Sequence, residues 1–573
     1  MPHRIFDLLP YYNENYGHKD ILFAYKVAGE WKKYSGKVFC DMTDAVSVSM
    51  LRKGIGKGDK IAIMAGNCPQ WNMVDFAALQ IGAVVVPVHC NIGPGDLDYI
   101  LSHSETKLIY IGDEAIYNRY KNVLDSHAGS LELCYMDFNG TSVETGNLDE
   151  IKATVTPDDI ATIIYTSGTT GKPKGVMLTH DNIMSNIENY YYHVPPIDRA
   201  LSYLPLSHIF ERSVQYTRIY FGISIYYAEN MATIMRDIID VKANSFSTVP
   251  RVLEKVYDAI YKKGESLKGF KKKLYYWSLD VANRYDETGK HNSWIYRKKL
   301  DFAKKHVLNG FKGIFGGETV FISSGGTSIQ PRLVKFCSAM GFPIIEGYGL
   351  SETSPMVSIS SYTENKIKAG SVGIICRNLD VKIGDNEEIM VKGSSVMKGY
   401  YKDEESTRLA FDQNGYFHTG DKGFIDDEGF LFIKGRINEI FKTSMGKFVS
   451  PSQIEGKLCE SPWFNNAMVV GENQKFVAAL IIPDFNQIKK WCDENGIAYT
   501  SNEIMTSDRK VVERCWQEVE KCNKTLGAAE KVRRFVLLDA DWSVDGGQLT
   551  PSMKVRRYVI MKEYKKQIEA LFA

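Results

Sequence analysis

Thr166-Ser167-Gly168-Thr169-Thr170-Gly171-Lys172-Pro173-Lys174-Gly175 follows Ile160-Ala161-Thr162-Ile163-Ile164-Tyr165, an apolar run that reads as a buried strand. Three glycines, four hydroxyls and two lysines crowd into these ten residues. Glycine has no Cβ, so its backbone can fold tightly around a ligand. Backbone N–H groups, hydroxyls and ammonium groups together suit the oxygens of a phosphate chain. The chemistry implied is binding of a nucleoside triphosphate. The Walker pattern G-x-x-x-x-G-K-[ST] is excluded. Pro173 stands five positions after Gly168 and also follows Gly171-Lys172, where that pattern needs a hydroxyl. The plain alternative is a solvated Ser/Thr/Gly turn.

The chain has 573 residues, too many for one hydrophobic core. Its 44% apolar and 24% charged residues are an ordinary globular composition, and a net charge of +1 argues against a general nucleic-acid binder. Ten cysteines are scattered without a C-x-x-C pair and read as reduced residues of a cytosolic protein. The start, Met1-Pro2-His3-Arg4-Ile5-Phe6-Asp7, carries no apolar h-region and predicts no signal peptide. No run of 18 apolar residues occurs, and residues 218–227 come nearest. Membrane contact is expected to be peripheral, at the inner face, if it occurs.

A helix is expected over 39–52. Gly54-Ile55-Gly56-Lys57-Gly58-Asp59 precedes a strand at 60–64, so its glycines mark a turn and not a dinucleotide fingerprint, which follows a strand. Helix 71–81 and strands 83–88 and 108–111 continue an alternation that predicts α/β layering with a parallel sheet. Leu178-Thr179-His180-Asp181-Asn182 is a helix start. Phe321-Ile322-Ser323-Ser324-Gly325-Gly326 and Ile344-Ile345-Glu346-Gly347-Tyr348-Gly349-Leu350-Ser351-Glu352 are two strands that run into glycine turns. In an open parallel sheet such turns face one crevice. Tyr348 offers a flat ring for a purine, and Glu352 a hard oxygen for magnesium. Residues 370–435 form many short strands, a small β-rich lobe ending near Phe417-His418-Thr419-Gly420-Asp421 and Gly435-Arg436. Asp421 can accept from both ribose hydroxyls, and Arg436 can fork onto ribose or phosphate oxygens. From residue 438 onward the pattern becomes a smaller α+β unit with a strand at 476–482. Residues 251–312 are rich in lysine, arginine and aromatics. They read either as solvated helices with buried aromatics, the plainer reading, or as a basic face for an anionic membrane.

The loop at 166–175, Pro205-Leu206-Ser207-His208, Tyr348-Gly349-Leu350-Ser351-Glu352, His418-Thr419-Gly420-Asp421, Gly435-Arg436 and a terminal lysine in Leu549-Thr550-Pro551-Ser552-Met553-Lys554 occur in this order. Together they resemble the adenylate-forming (AMP-binding) superfamily over nearly the whole chain. Phe210-Glu211-Arg212 after His208, and Met553 before Lys554, are similar to bacterial long-chain fatty acid–CoA ligases in particular. Ser351 replaces the commoner threonine, and Asn438 stands where the family usually has aspartate or lysine.

The resemblance implies a large N-terminal domain (1–437) of layered α/β subdomains with a β-rich lobe, and a small mobile α+β C-terminal domain (438–573) hinged at Asn438. It implies that a fatty acid is activated with ATP and Mg2+ to an acyl-adenylate, then passed to coenzyme A. It assigns ATP to Thr166, Ser167, Gly168, Thr169, Thr170, Gly171, Lys174, Gly325, Gly326, Tyr348, Gly349, Ser351, Asp421 and Arg436. Magnesium goes to Glu352 with Thr166, and the acyl pocket to His208. Lys554 serves the first step, and Lys442 with Gly446 lies on the face used in the second. The rival readings are a ligase for an aryl or shorter acid, a carrier-protein ligase, and a non-catalytic nucleotide- or lipid-binding scaffold.

Overall fold

Among the described residues short strands, most of them apolar, build two large sheets, a four-stranded sheet, a three-stranded sheet and a two-stranded hairpin. The structure, a computed structural model, describes residues 2–138, 145–166, 173–544, 546–550 and 554–573. A seven-stranded sheet runs Gly399–Tyr400, Lys174–Thr179, Ile160–Thr166, Val84–Pro87, Lys60–Met64, Thr106–Ile111, Glu132–Tyr135. Its last five strands are parallel, and Lys174–Thr179 joins Ile160–Thr166 antiparallel. A nine-stranded sheet runs from Ile374–Ile375 through Ile344–Gly349, Phe321–Ser324, Ser245–Thr248 and Arg199–Ser202 to the edge hairpin Phe23–Val27 and Glu30–Tyr34. Both sheets therefore present carboxyl ends of parallel strands to a crevice, where ligands collect in such folds. The expected helices at 39–52 and 71–81 are Gly36–Arg52 and Pro69–Gln80. The earlier starts have local causes: Ser35 caps the first through Val38 N–H, and Pro69 opens the second.

The helix Ile209–Tyr220 is clipped to both sheets by polar side chains. Arg212, fully buried, pairs with the equally buried Asp75 and donates to Thr162 Oγ1 at 2.8 Å on the seven-stranded sheet. Its Nε also donates to the Tyr216 hydroxyl at 2.7 Å. One turn further on, Gln215 donates to Ser202 Oγ at 2.8 Å. Arg218 pairs with Glu211 at 2.9 Å and donates to Ser247 Oγ at 3.1 Å on the nine-stranded sheet. Glu211 and Arg212 are thus structural members of the segment that His208 opens.

Strands Leu379–Ile383, Glu388–Gly393, Phe417–Ile425 and Leu431–Arg436 form the antiparallel sheet of the expected lobe. The small C-terminal domain holds Phe464–Val470, Val477–Pro483 and Val532–Leu537. Its middle strand is buried along its whole length between two apolar clusters, as its unbroken apolar sequence requires. Among the described residues no helix is long and apolar enough to cross a membrane. Residues 218–227 divide into a helix end and the strand Ser224–Tyr227. The aromatics of 251–312 are only partly buried. Tyr275 is inside, but Phe270 is 77% exposed and Trp294 73% exposed.

Two stability predictions follow from buried charge. Removing one partner of a buried ion pair leaves the other uncompensated, at a cost of about 3–5 kcal/mol. Asp75→Ala should therefore lower the thermal unfolding transition sharply, and an unchanged melt would show that Arg212 finds another partner. Burial lifts the Glu346 carboxyl to about 8, against a partial pull from the Ile329 backbone N–H. The folded chain keeps this proton where the unfolded chain has lost it, so stability falls as pH rises from about 4.5 to about 8. Glu346→Gln should melt with the parent near pH 4.5 and above it near pH 8; equal melts throughout would refute the assignment.

Candidate active site

Thr166 and Lys174 face each other across the two strands that carry the phosphate-loop sequence. Ser167, Gly168, Thr169, Thr170 and Gly171 lie outside the described residues. Lys174 Nζ donates to Ser406 Oγ at 2.8 Å and stands 4.9 Å over the Tyr400 ring. Tyr400 pairs with Val176 in the sheet and donates its hydroxyl to Glu352 Oε1 at 3.1 Å. The base of the loop and Glu352 are therefore joined through a tyrosine that no sequence motif marked.

Glu352 sits in a short 3-10 turn, Ser351–Thr353, directly after the strand Ile344–Gly349. Gly349 is required there: a Cβ would lie 1.6 Å from the Pro355 carbonyl oxygen. Gly326 takes a φ of +85°, a conformation that L side chains rarely adopt. Gly325 lies between the Gly347 carbonyl and the Phe210 ring, which brings the His208 segment against both glycine turns.

On the lobe, Asp421 receives the Tyr348 hydroxyl at 2.7 Å and the Arg436 Nε at 2.9 Å. Burial lifts its carboxyl above the ordinary value against the pull of Arg436, Tyr348 and Lys554. Burial and that carboxylate keep the Tyr348 phenol protonated well above its usual range. After Arg436 the chain turns, with Ile437 N–H donating to the Gly420 carbonyl at 2.8 Å, and Asn438 is exposed in this turn.

From the C-terminal side, Lys554 reaches the same cleft. Its backbone N–H donates to Thr550 Oγ1 at 3.0 Å, and Thr550 N–H donates back to the Lys554 carbonyl at 2.8 Å. Two residues on, Arg556 pairs with Asp96 of the large domain at 3.0 Å. Lys554 stays open to solvent in the cleft, yet the surrounding protein and the Arg436 charge lower its ammonium below the ordinary range. Asp421, Glu352 and Glu439 oppose that shift. His208 accepts the Phe210 N–H at Nδ1 over 3.2 Å, so a neutral ring carries its proton on Nε2. Burial, Lys554 and His89 hold it near 3, hence neutral at physiological pH.

Lys442 is elsewhere. It lies on the hairpin Phe441–Lys442 and Phe448–Val449, with its ammonium 5.5 Å above the Phe448 ring. Gly446, at a φ of +78°, closes the same hairpin. No described contact joins Lys442 to Glu352, Asp421 or Arg436.

The described residues hold no cluster of three or more His, Cys, Asp or Glu side chains fit for a metal. One carboxylate, Glu352, faces the loop base. That suits magnesium, which takes one or two protein carboxylates and completes its shell with water and substrate phosphate.

A sequence profile of the AMP-binding enzyme family matches residues 12–401, and one of the AMP-binding enzyme C-terminal domain matches 438–573. The long-chain-fatty-acid–CoA ligase FadD15 of Mycobacterium bovis is 29% identical over 570 residues, covering 96% of this chain and 94% of that protein. Long chain acyl-CoA synthetase 7, peroxisomal, of Arabidopsis thaliana is 28% identical over 579 residues, covering 92% and 80%. Two solved structures share the fold. The Bacillus subtilis o-succinylbenzoate coenzyme A synthetase, in complex with ATP and magnesium, superposes with a TM-score of 0.67 at 20% identity over 96% of this chain and 98% of its own. A Mycobacterium tuberculosis fatty acyl CoA synthetase gives 0.61 at 20% identity over 99% of each chain. With its family profile spanning 390 residues (12–401) and its C-terminal profile the remainder from 438, the chain belongs to the AMP-binding enzyme family.

Proposed function

We propose that this protein is an AMP-forming acid–thiol ligase that activates a long-chain fatty acid. The observation that carries the reading is one juxtaposition. Lys554, from the C-terminal side, enters the electrostatic neighbourhood of Glu352, Asp421, Arg436 and His208 on the large domain. The long-chain assignment rests on Phe210-Glu211-Arg212 after His208 and on relatives named as long-chain ligases.

In the first step a carboxylate oxygen attacks the α-phosphorus of ATP, and the bond to the pyrophosphate oxygen breaks. Lys554 neutralises the incoming carboxylate and the α-phosphate together, so the two anions can approach. Asp421 and Arg436 hold the ribose, Tyr348 and Gly326 border the adenine, and the 166–175 loop takes the β- and γ-phosphates. Glu352, with Thr166, would hold magnesium, which supplies further charge neutralisation on the phosphates. His208 presents Nε2–H beside the acyl carboxylate. In the second step the coenzyme A sulfur attacks the acyl carbonyl carbon, AMP leaves with the bonding pair, and the thiol proton passes to solvent. The domain 438–573 turns about Asn438 between the steps, withdrawing Lys554 and presenting Lys442 and Gly446.

A specific observation keeps a second reading, an aryl or shorter acid with a polar group. Ser324 Oγ, next to the Gly325-Gly326 turn, is buried without a hydrogen-bond partner, beside Glu346 on the neighbouring strand. Buried polar atoms rarely stay unpaired.

Pyrophosphate release with ATP and magnesium, measured across fatty acids of rising chain length and across benzoates, should peak at long chains and be sustained by coenzyme A. A maximum on benzoates would transfer the assignment to the second reading. Lys554→Ala should slow adenylation by about a hundredfold or more while sparing thiolysis of supplied acyl-adenylate. Lys442→Ala should do the reverse. Equal loss of both steps in either variant would refute the two-face scheme.

A further inference from the structure

The charge of this chain is concentrated in one place. Residues 262–312 carry fourteen lysines and arginines against five aspartates and glutamates, although the whole chain is only +1. This +9 segment folds into the helices Gly269–Asn283 and Trp294–His306, which lie against each other. Few of the cations are neutralised. Arg284 pairs with Asp280, and Lys290 with Glu428. Among the described residues no ion pair forms with Lys262, Lys263, Lys271, Lys272, Lys273, Lys298, Lys299 or Lys305.

The same helices expose large apolar side chains. Phe270 is 77% exposed, Trp294 73%, Ile295 61% and Phe302 49%. Their spacing gives them a common face. Phe270 and Trp277 are seven residues apart, two turns of helix, as are Ile295 and Phe302. Trp277 and Phe302 meet edge to face across the pair, with centroids 6.0 Å apart. Lys298 stands over the Trp294 ring at 5.9 Å. The opposite sides of both helices, with Tyr275, Leu279, Leu300 and Ala303, are buried in the core. The exposed rings are therefore additional to the packing that holds the helices in place.

We propose that this helix pair is a docking face for an anionic phospholipid bilayer. A lipid surface offers what the face lacks. Its headgroups supply a sheet of negative charge for unpaired lysines, and its interfacial layer accepts aromatic and aliphatic side chains from above. A nucleic acid satisfies the lysines but leaves Phe270, Trp294 and Ile295 in water. Aromatic rings ringed by lysine, on helices too short and too charged to span, are the pattern of a protein that rests in the interface. The inference stands on these residues alone and is independent of the acid activated.

Flotation of the full-length protein with phosphatidylcholine vesicles, with and without phosphatidylglycerol, tests it. Binding is expected only with the anionic lipid at low salt, and molar salt should reverse it. The combined substitution Lys271→Gln, Lys272→Gln and Lys273→Gln should weaken binding about a hundredfold, since each lysine near the surface contributes about 1 kcal/mol. Phe270→Ser with Trp294→Ser should weaken it too and reduce the blue shift in tryptophan fluorescence that vesicles induce. Both variants should keep the parent's melt and its pyrophosphate release with a water-soluble acid, because none of these residues touches the cleft. Three outcomes would overturn the proposal: no flotation at low salt, flotation unchanged in both variants, or equally tight binding of heparin with no fluorescence shift on vesicles.

Discussion

The crevice depends on a buried cation. Arg212 is fully enclosed, and it is held by Asp75, Tyr216 and Thr162. A guanidinium in such a place has no cheap alternative conformation, because any movement leaves a charge or a carboxylate unpaired in a low dielectric. Its helix is consequently fixed against the seven-stranded sheet, while Gln215 and Arg218 on the same helix fix the nine-stranded sheet. Specific hydrogen bonds thus set the relation between the two strand-end surfaces, where apolar packing alone would let them slide. His208 caps this helix, and Phe210 lies against Gly325. The reach of the site from loop base to glycine turns inherits that rigidity.

Much of this was legible in the sequence because ligand chemistry restricts residue type over short spans. A phosphate chain asks for glycines, hydroxyls and lysines together, and residues 166–175 supply them. Strands buried on both faces are apolar in their buried stretch, which made 61–64 and 477–482 readable. Asp421 and Arg436 each read as groups for ribose or phosphate, but their pairing with each other is seen only in the structure. What was not legible are partners brought from afar. Asp96 meets Arg556 across 460 residues, and Tyr400 meets Glu352 across 48, with nothing local to mark either. Glu211 and Arg212 look like surface charges beside His208, and only the fold encloses them. The aromatics of 270–302 failed in the opposite sense: hydrophobicity predicted burial, but the inward faces of both helices were already filled by Tyr275, Leu279 and Leu300.

The electrostatics of the cleft argue for the charge of what it takes. Arg436 and Lys554 approach each other, and Lys174 stands at the loop base on the same side as Glu352. Desolvation by the surrounding protein first, and the Arg436 charge next, leave Lys554 with an ammonium that gives up its proton more readily than usual, while Asp421 and Glu352 pull the other way. Like charges gathered in a partly buried place raise the energy of the empty cleft. In the proposed reaction a polyanion would reverse this balance by stabilising Lys554 and Arg436 together. On that reading the cost of assembling the cations is carried by the folded protein and offset by the incoming triphosphate and carboxylate. Departure of pyrophosphate would remove much of that negative charge and leave Lys554 and Arg436 facing each other again. The Arg556–Asp96 pair, partly exposed at 28% and 29%, is then one of the contacts holding Lys554 in place. An ion pair of that exposure contributes about 1 kcal/mol at most. On the proposed two-step reaction, loss of pyrophosphate would loosen Lys554 in the cleft and open the acyl carbonyl to the thiol, with this weak ion pair opposing the change.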